Sequence, residues 1–158
     1  FDGVIDEVRM YDYALTADEI AAQYNETAGS ADAWYRRYFG DVPINWNMDD
    51  DGDGISRLGE YAFGGEPLIS DSQMAQIIPQ IVNGHLQIQF HRRVAGTTEL
   101  NYQLQSSSDL VNWNALAGTE VSVIPSATMP GFEDVIFRAE QAVSDETPLF
   151  VRLTAQLP

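Results

Sequence analysis

Cysteine is absent from the 158-residue chain, so no disulfide framework and no thiolate metal site can form. Basic residues are scarce: 8 Lys and Arg stand against 24 Asp and Glu, a formal charge of −16 with a pI near 4.1. Nucleic acid and anionic membrane both call for a basic surface, and neither is expected as a partner. Long apolar runs are missing too. No stretch approaches the roughly 20 apolar residues of a membrane span, and no charged-then-apolar leader opens the chain. The chain starts on Phe1, inside a strand-like pattern, and is expected to be a fragment of something longer. Signatures of nucleophilic and phosphate chemistry, Gly-x-Ser-x-Gly and Gly-x4-Gly-Lys-(Ser/Thr), are lacking. The two histidines, His85 and His91, share the polar face of one predicted strand with Gln87 and Gln89. At about 3.3 Å per residue they stand ~20 Å apart, too far to share a metal, and they read as solvated strand histidines. Glycoside hydrolysis needs a carboxylate pair at roughly 5–9.5 Å, and no pair outside one acidic loop is singled out. A non-catalytic chain is expected.

What is present begins with that loop. Asp49-Asp50-Asp51-Gly52-Asp53-Gly54-Ile55-Ser56-Arg57-Leu58-Gly59-Glu60 fits the Asp-x-Asp-x-Asp-Gly-x5-Glu spacing of a calcium loop. Ca2+ takes about six to eight oxygen ligands at about 2.3–2.6 Å, and this spacing wraps them around one point. Asp49, Asp51 and Asp53 would fill positions 1, 3 and 5, the Ile55 carbonyl position 7, and Glu60 position 12 with both carboxylate oxygens. Gly54 sits at position 6, where the chain must turn sharply. Position 9 holds Arg57, which cannot ligate a cation, so water is expected at that vertex. Asp50, at position 2, is expected to point outward. The bland alternative is a solvated acidic turn that binds nothing. Close carboxylate pairs at ~4 Å repel by about 1 kcal/mol even in water, strain that a cation would remove.

Before the loop, Phe1–Tyr13 has strand composition, with Val4, Val8 and Met10 on one face and Ile5, Tyr11 and Tyr13 on the other. Thr16-Ala17-Asp18-Glu19 is a capping box that opens a short helix to about Tyr24, and residues 25–31 are small and polar. Asp32 is expected to cap a helix to about Phe39, ended by Gly40, with Trp34, Tyr35, Tyr38 and Phe39 on its apolar face. Ser56 is expected to cap a second helix over about 57–63, stopped by Gly64-Gly65 and Pro67. Ten residues from Gly40 to Asp49, with Pro43 inside, separate the first helix from the loop, unlike a paired EF-hand. Trp34 and Trp113 occupy core-like positions, and Trp46 is placed to lid the loop.

From about Ile77 onward apolar alternation recurs at Leu86, Ile88 and Phe90, at Leu100, Tyr102 and Leu104, at Val121 and Val123, at Val135 and Phe137, and at Phe150 and Leu153. Turn signals such as Asn83-Gly84, Ser107-Ser108-Asp109 and Pro130-Gly131 separate these runs. About seven short strands in ~80 residues predict a small β-sandwich of immunoglobulin or fibronectin type III kind.

Three stretches resemble known families. Phe1-Asp-Gly3-Val-Ile5-Asp6-Glu7-Val8-Arg9-Met-Tyr11, followed by Ala14-Leu15-Thr16-Ala-Asp-Glu19-Ile20, resembles the C-terminal end of laminin G-like or concanavalin A-like jelly-roll domains. One surviving strand of such a domain cannot bind sugar alone. Asp49, Asp51-Gly52-Asp53-Gly54-Ile55-Ser56, Glu60-Tyr61 and Gly64-Gly65-Glu66-Pro67 resemble bacterial thrombospondin type 3-like calcium repeats, with Glu66 where that family has Asp. Dockerins share the Asp-Gly-Asp-Gly core but carry two loops, so cohesin binding is not expected. Tyr102-Gln-Leu104-Gln-Ser106-Ser-Ser-Asp109-Leu110-Val-Asn112-Trp113 resembles a C-terminal module of large secreted bacterial proteins.

The fold class expected is mainly β with a short α-helical calcium-binding segment and an immunoglobulin/fibronectin type III-like sandwich. The divisions are a jelly-roll remnant over 1–25, a linker over 26–31, the helix-loop-helix segment over 32–70 and the sandwich over 71–158. The function expected is a non-catalytic part of a secreted or cell-surface protein in which one Ca2+ stiffens the junction between modules. The alternative is part of a carbohydrate-binding or glycoside-processing protein whose active domain lies upstream. Glycans or cell-surface proteins would then be met through that upstream domain.

Overall fold

The computed structural model describes residues 10–16, 30–70, 77–94, 99–143 and 148–158. Most of the jelly-roll-like strand, the helix after Thr16 and most of the linker lie outside them. Residues 10–13, read above as the end of a strand, are irregular and exposed, with Tyr11 and Tyr13 rings edge to face at 6.0 Å.

Helix α1 spans Ala31–Phe39, and its N-cap is Ser30 rather than Asp32. The Ser30 hydroxyl accepts from the Ala33 N–H at 3.2 Å, whereas Asp32 lies in the first turn. A serine in extended conformation two residues earlier can reach an orphan N–H, and Asp32 then favours the positive helix end. Asp32 also accepts from Arg36 Nε one turn on, at 2.8 Å. Gly40 ends α1 as expected.

Helix α2 spans Arg57–Phe63 with Ser56 as N-cap, matching the expected bounds. Three of its orphan N–H groups find acceptors outside the helical ladder: Arg57 bonds the Met48 carbonyl, Leu58 that of Trp46 and Gly59 the Ser56 hydroxyl, while Glu60 to the Ser56 carbonyl is the first intrahelical bond. The long approach from α1 thus doubles back and docks on the start of α2. Gly64, at φ 84, turns the chain out in the left-handed conformation.

Among the described residues seven strands follow: β1 Ile78–Val82, β2 His85–Arg93, β3 Asn101–Ser107, β4 Asn114–Ala115, β5 Gly118–Pro125, β6 Phe132–Ala142 and β7 Phe150–Gln156. They form two antiparallel sheets, ordered β1-β2-β6-β5 and β4-β3-β7. Asn83-Gly84 makes the β1–β2 hairpin with φ positive at both residues, the turn this dipeptide favours. The predicted apolar alternation faces inward at Leu86, Ile88, Phe90, Leu104 and Val135, whereas Val121 and Val123 of β5 and Phe150 of β7 are exposed. Leu86, Ile88, Phe90, Val135 and Ala139 of the larger sheet pack with Leu104 of the smaller, flanked by Val151 and Leu153. The described chain is therefore mainly β, with two sheets closed over one core.

A second core is aromatic. Ala31, Trp34 and Tyr35 of α1 meet Tyr61 of α2, with Trp46 from the approach and Leu100 and Leu157 from the ends of the smaller sheet. The two cores are joined at the end of α2. Arg93 Nε of β2 donates to the Tyr61 carbonyl at 2.7 Å, and the Tyr102 hydroxyl of β3 donates to the Ala62 carbonyl at 2.7 Å. The same hydroxyl accepts the Arg93 N–H at 3.1 Å, so one oxygen ties both sheets to the helix. The Arg93 guanidinium lies 4.0 Å from the Tyr61 ring centre and 4.8 Å from that of Phe132.

Candidate metal centre

The loop between the Met48 carbonyl and the Arg57 N–H closes on itself through its own aspartates. Asp49 accepts from the Gly52 N–H at 2.8 Å with Oδ1 and from the Gly54 N–H at 3.0 Å with Oδ2. Asp51 Oδ1 accepts from the Asp53 N–H at 3.1 Å, and Asp53 Oδ1 from the Ile55 N–H at 2.8 Å. Each carboxylate thus folds back on the chain two to five residues ahead, and Gly54 at φ 93 supplies the sharp turn. The result brings one oxygen each of Asp49, Asp51 and Asp53 within 4.8 Å of one another.

Of the five residues assigned to the site, the structure gathers these three. Ile55 follows in the same loop, its N–H engaged by Asp53 and its chain half-buried. Glu60 sits in the first turn of α2, only 3% exposed, and is not among the three clustered carboxylates. Two side-chain oxygens among the described residues are buried without accepting a hydrogen bond, Asp51 Oδ2 and Glu60 Oε2, although Glu60 has other interactions. An ionised oxygen buried without a donor costs several kcal/mol as an order of magnitude, unless it is neutralised. All-oxygen donors with a net negative charge suit a hard divalent cation and exclude a soft one. The residues present fit such an ion on both counts.

Two neighbouring residues depart from expectation. Asp50 does not point outward. Its carboxylate takes the Arg57 guanidinium two-handed, Nε to Oδ2 at 2.5 Å and Nη2 to Oδ1 at 2.7 Å, and its side chain is 18% exposed. Arg57, 7% exposed, also gives Nη1 to the Tyr35 hydroxyl and lies 3.7 Å from the centre of the Phe39 ring. Burial against α1 forces the guanidinium to find an anion, and position 2 is the one that faces it. The bond from Arg57 holds the Asp50 carboxyl below the usual aspartate range, and the bond to Asp50 raises Arg57 in turn. Tyr35, wholly buried, donates to the Pro43 carbonyl at 3.1 Å and accepts from the Asn45 N–H at 3.0 Å. Sequence reasoning gave Tyr35 only a packing role. An acid at position 2 and a non-ligating base at position 9 is the signal that pairs Asp50 with Arg57.

The remaining candidates are committed elsewhere. Trp46 does not lid the loop; its ring stacks on Trp34 at 6.0 Å and meets Tyr35 edge to face at 5.1 Å. Trp34 is buried as expected, whereas Trp113 is half-buried under the Arg152 guanidinium, 4.1 Å from its ring centre. Glu66 accepts from the Tyr38 hydroxyl at 2.8 Å, a strap between α1 and the chain leaving α2. The histidines are anchored rather than merely solvated: His85 Nδ1 meets the Ala139 carbonyl at 3.1 Å, and His91 Nδ1 pairs with Asp134 across the β2–β6 ladder. No helix among the described residues is long and apolar enough to cross a membrane.

Comparison with known protein families, curated proteins and solved structures finds no match to this chain.

Proposed function

We propose that residues 49–60 hold one structural Ca2+ and that the loop acts as a clasp between an upstream module and the β-sandwich. Asp49, Asp51 and Asp53 would ligate through carboxylate oxygens, Ile55 through its carbonyl and Glu60 through its carboxylate. The observation that carries this reading is the three-aspartate cluster with Asp51 Oδ2 buried beside it and unbonded. The bound ion would supply positive charge and nothing else. The chain's own residues do the mechanical work: Arg57 and the approach segment fix α1 to the start of α2, and Arg93 and Tyr102 fix the end of α2 to both sheets. Stiffening the loop therefore stiffens the described chain between α1 and α2.

The finer fold reading belongs with this proposal. Taken as strands A, B, C, C′, D, E and F, β1 to β7 give sheets A-B-E-D and C′-C-F, which supports an immunoglobulin-like sandwich. A non-catalytic, secreted or cell-surface setting agrees with a single loop of the extracellular kind, whose Kd lies around 10⁻⁴–10⁻³ M. Thermal unfolding with and without chelator tests the clasp. The parent chain is expected to melt lower in chelator and to recover with Ca2+, and Asp51→Asn to lose that difference. Equal melting of the parent in both conditions would remove the clasp.

A further inference from the structure

We infer that Arg57 is a positioning residue for the metal centre: it pins the loop against α1 through Asp50 and Tyr35, and so sets the directions of Asp49 and Asp51. The inference rests on the calcium reading above and concerns residues that ligate nothing. Asp50 is flanked in the chain by two of the three clustered aspartates, and both of its oxygens are held by the buried guanidinium. A two-handed pair fixes the direction of the Asp50 side chain, and so narrows the backbone from which Asp49 and Asp51 project. The other face of that guanidinium is fixed by the Tyr35 hydroxyl and the Phe39 ring, both on α1. Tyr35 in turn holds the approach at Pro43 and Asn45, and Arg57's own N–H closes the loop on Met48. Loop geometry and the seating of α1 are thus one network.

Electrostatics alone makes the opposite forecast, which is what makes the inference testable. A fixed positive charge beside an acidic cation site weakens binding, and removing it while freeing Asp50 would tighten binding. If Arg57 positions the loop, Arg57→Met weakens Ca2+ binding instead, by about 10–100-fold, as loss of an outer partner of a metal site does. Tyr35→Phe is the companion variant. It keeps both charges and the ring, removes only the hydroxyl that receives Nη1, and is expected to weaken binding in the same direction by a smaller factor.

The experiment is calorimetric titration of Ca2+ into the chelator-treated full chain and both variants, with Trp34 and Trp46 fluorescence reporting the seating of α1. Unfolding of each protein in chelator is measured alongside. A merely structural arginine lowers stability equally with and without Ca2+ and leaves the Kd of the folded chain unchanged; that result overturns the inference. So does tighter binding by Arg57→Met. Weaker binding by Tyr35→Phe, with its far-ultraviolet circular dichroism unchanged, supports it even if Arg57→Met fails to fold. Unchanged binding by Tyr35→Phe overturns it in that case. No binding by the parent chain overturns the calcium reading itself, and the inference with it.

Discussion

At the scale of single residues, two side chains hold more than their size suggests. The Tyr102 hydroxyl bonds both the α2 carbonyl of Ala62 and the β2 N–H of Arg93, and burial pushes its ionisation from 10.0 up to about 12. A raised value means that the neutral phenol stabilises the fold. That contribution is complete below the ordinary tyrosine value and fades as pH climbs through about 12. Alkaline difference spectroscopy is expected to show a late-titrating component that Tyr102→Phe loses, with the variant less stable by about 1–3 kcal/mol at neutral pH. Asp109 is the second. Its carboxylate accepts from the N–H of Asn112 and Val111, from the Asn112 amide and from the Ser107 hydroxyl, which holds its ionisation well below the usual value of 3.8. A lowered value stabilises above the ordinary aspartate range and is lost as pH falls through it. The parent's stability advantage over Asp109→Ala is expected to be constant near neutrality and to shrink in acid below about pH 4. The turn it organises carries Leu110 at φ 62, a strained conformation that needs such a brace.

At the scale of elements, the decisive joint is where α2 leaves for the sandwich. Gly64 has φ 84, and a Cβ there would stand 2.0 Å from Met129 Cε and 3.0 Å from Phe132 Cζ. Gly84, at φ 77 in the β1–β2 hairpin, has nothing within 4 Å. Both alanine variants bear the left-handed backbone cost of about 1–2 kcal/mol. Only Gly64→Ala also crowds neighbours: the Met129 methyl can swing aside, but the Phe132 ring edge must give, adding about 1 kcal/mol. Denaturant unfolding is expected to rank Gly64→Ala below Gly84→Ala, and equal losses would mean that the Phe132 ring yields without cost. The two described helices, their stops and the inner face of β2 were legible because their signals are local: Ser56 three residues before Gly59, Gly40 and Gly64 past the last apolar turn, alternation at Leu86, Ile88 and Phe90. Asp32 was mistaken for a cap because Ser30 lies in the small, polar stretch that reads as linker. Sheet order, the docking of α2 by Arg93 and Tyr102, and the burial of Arg57 were not legible. The last two depend on partners 22 to 40 residues away, and the sheet order on pairings as distant as His85 with Ala142 and Asn101 with Gln156, none of which a local pattern names.

At the scale of the whole molecule, the chain is a relay of stiff contacts running from α1 through the acidic loop and α2 into two sheets. Its formal charge of −16 works against any compact state, and the loop gathers part of that charge into one place where a single cation would offset it. A ligand that binds the folded state alone stabilises it by RT ln(1 + [L]/Kd), about 2.7 kcal/mol at a hundredfold excess over Kd. The cooperative unit that gains this stability should include the aromatic core, because Arg57 and Tyr35 join it to the loop. The measurement that tests the account most directly is calorimetric titration of Ca2+ into the chelator-treated chain. One site per chain, lost in Asp53→Ala and strongly weakened in Glu60→Gln, is the predicted result; no heat of binding, or binding unchanged in both variants, would contradict it.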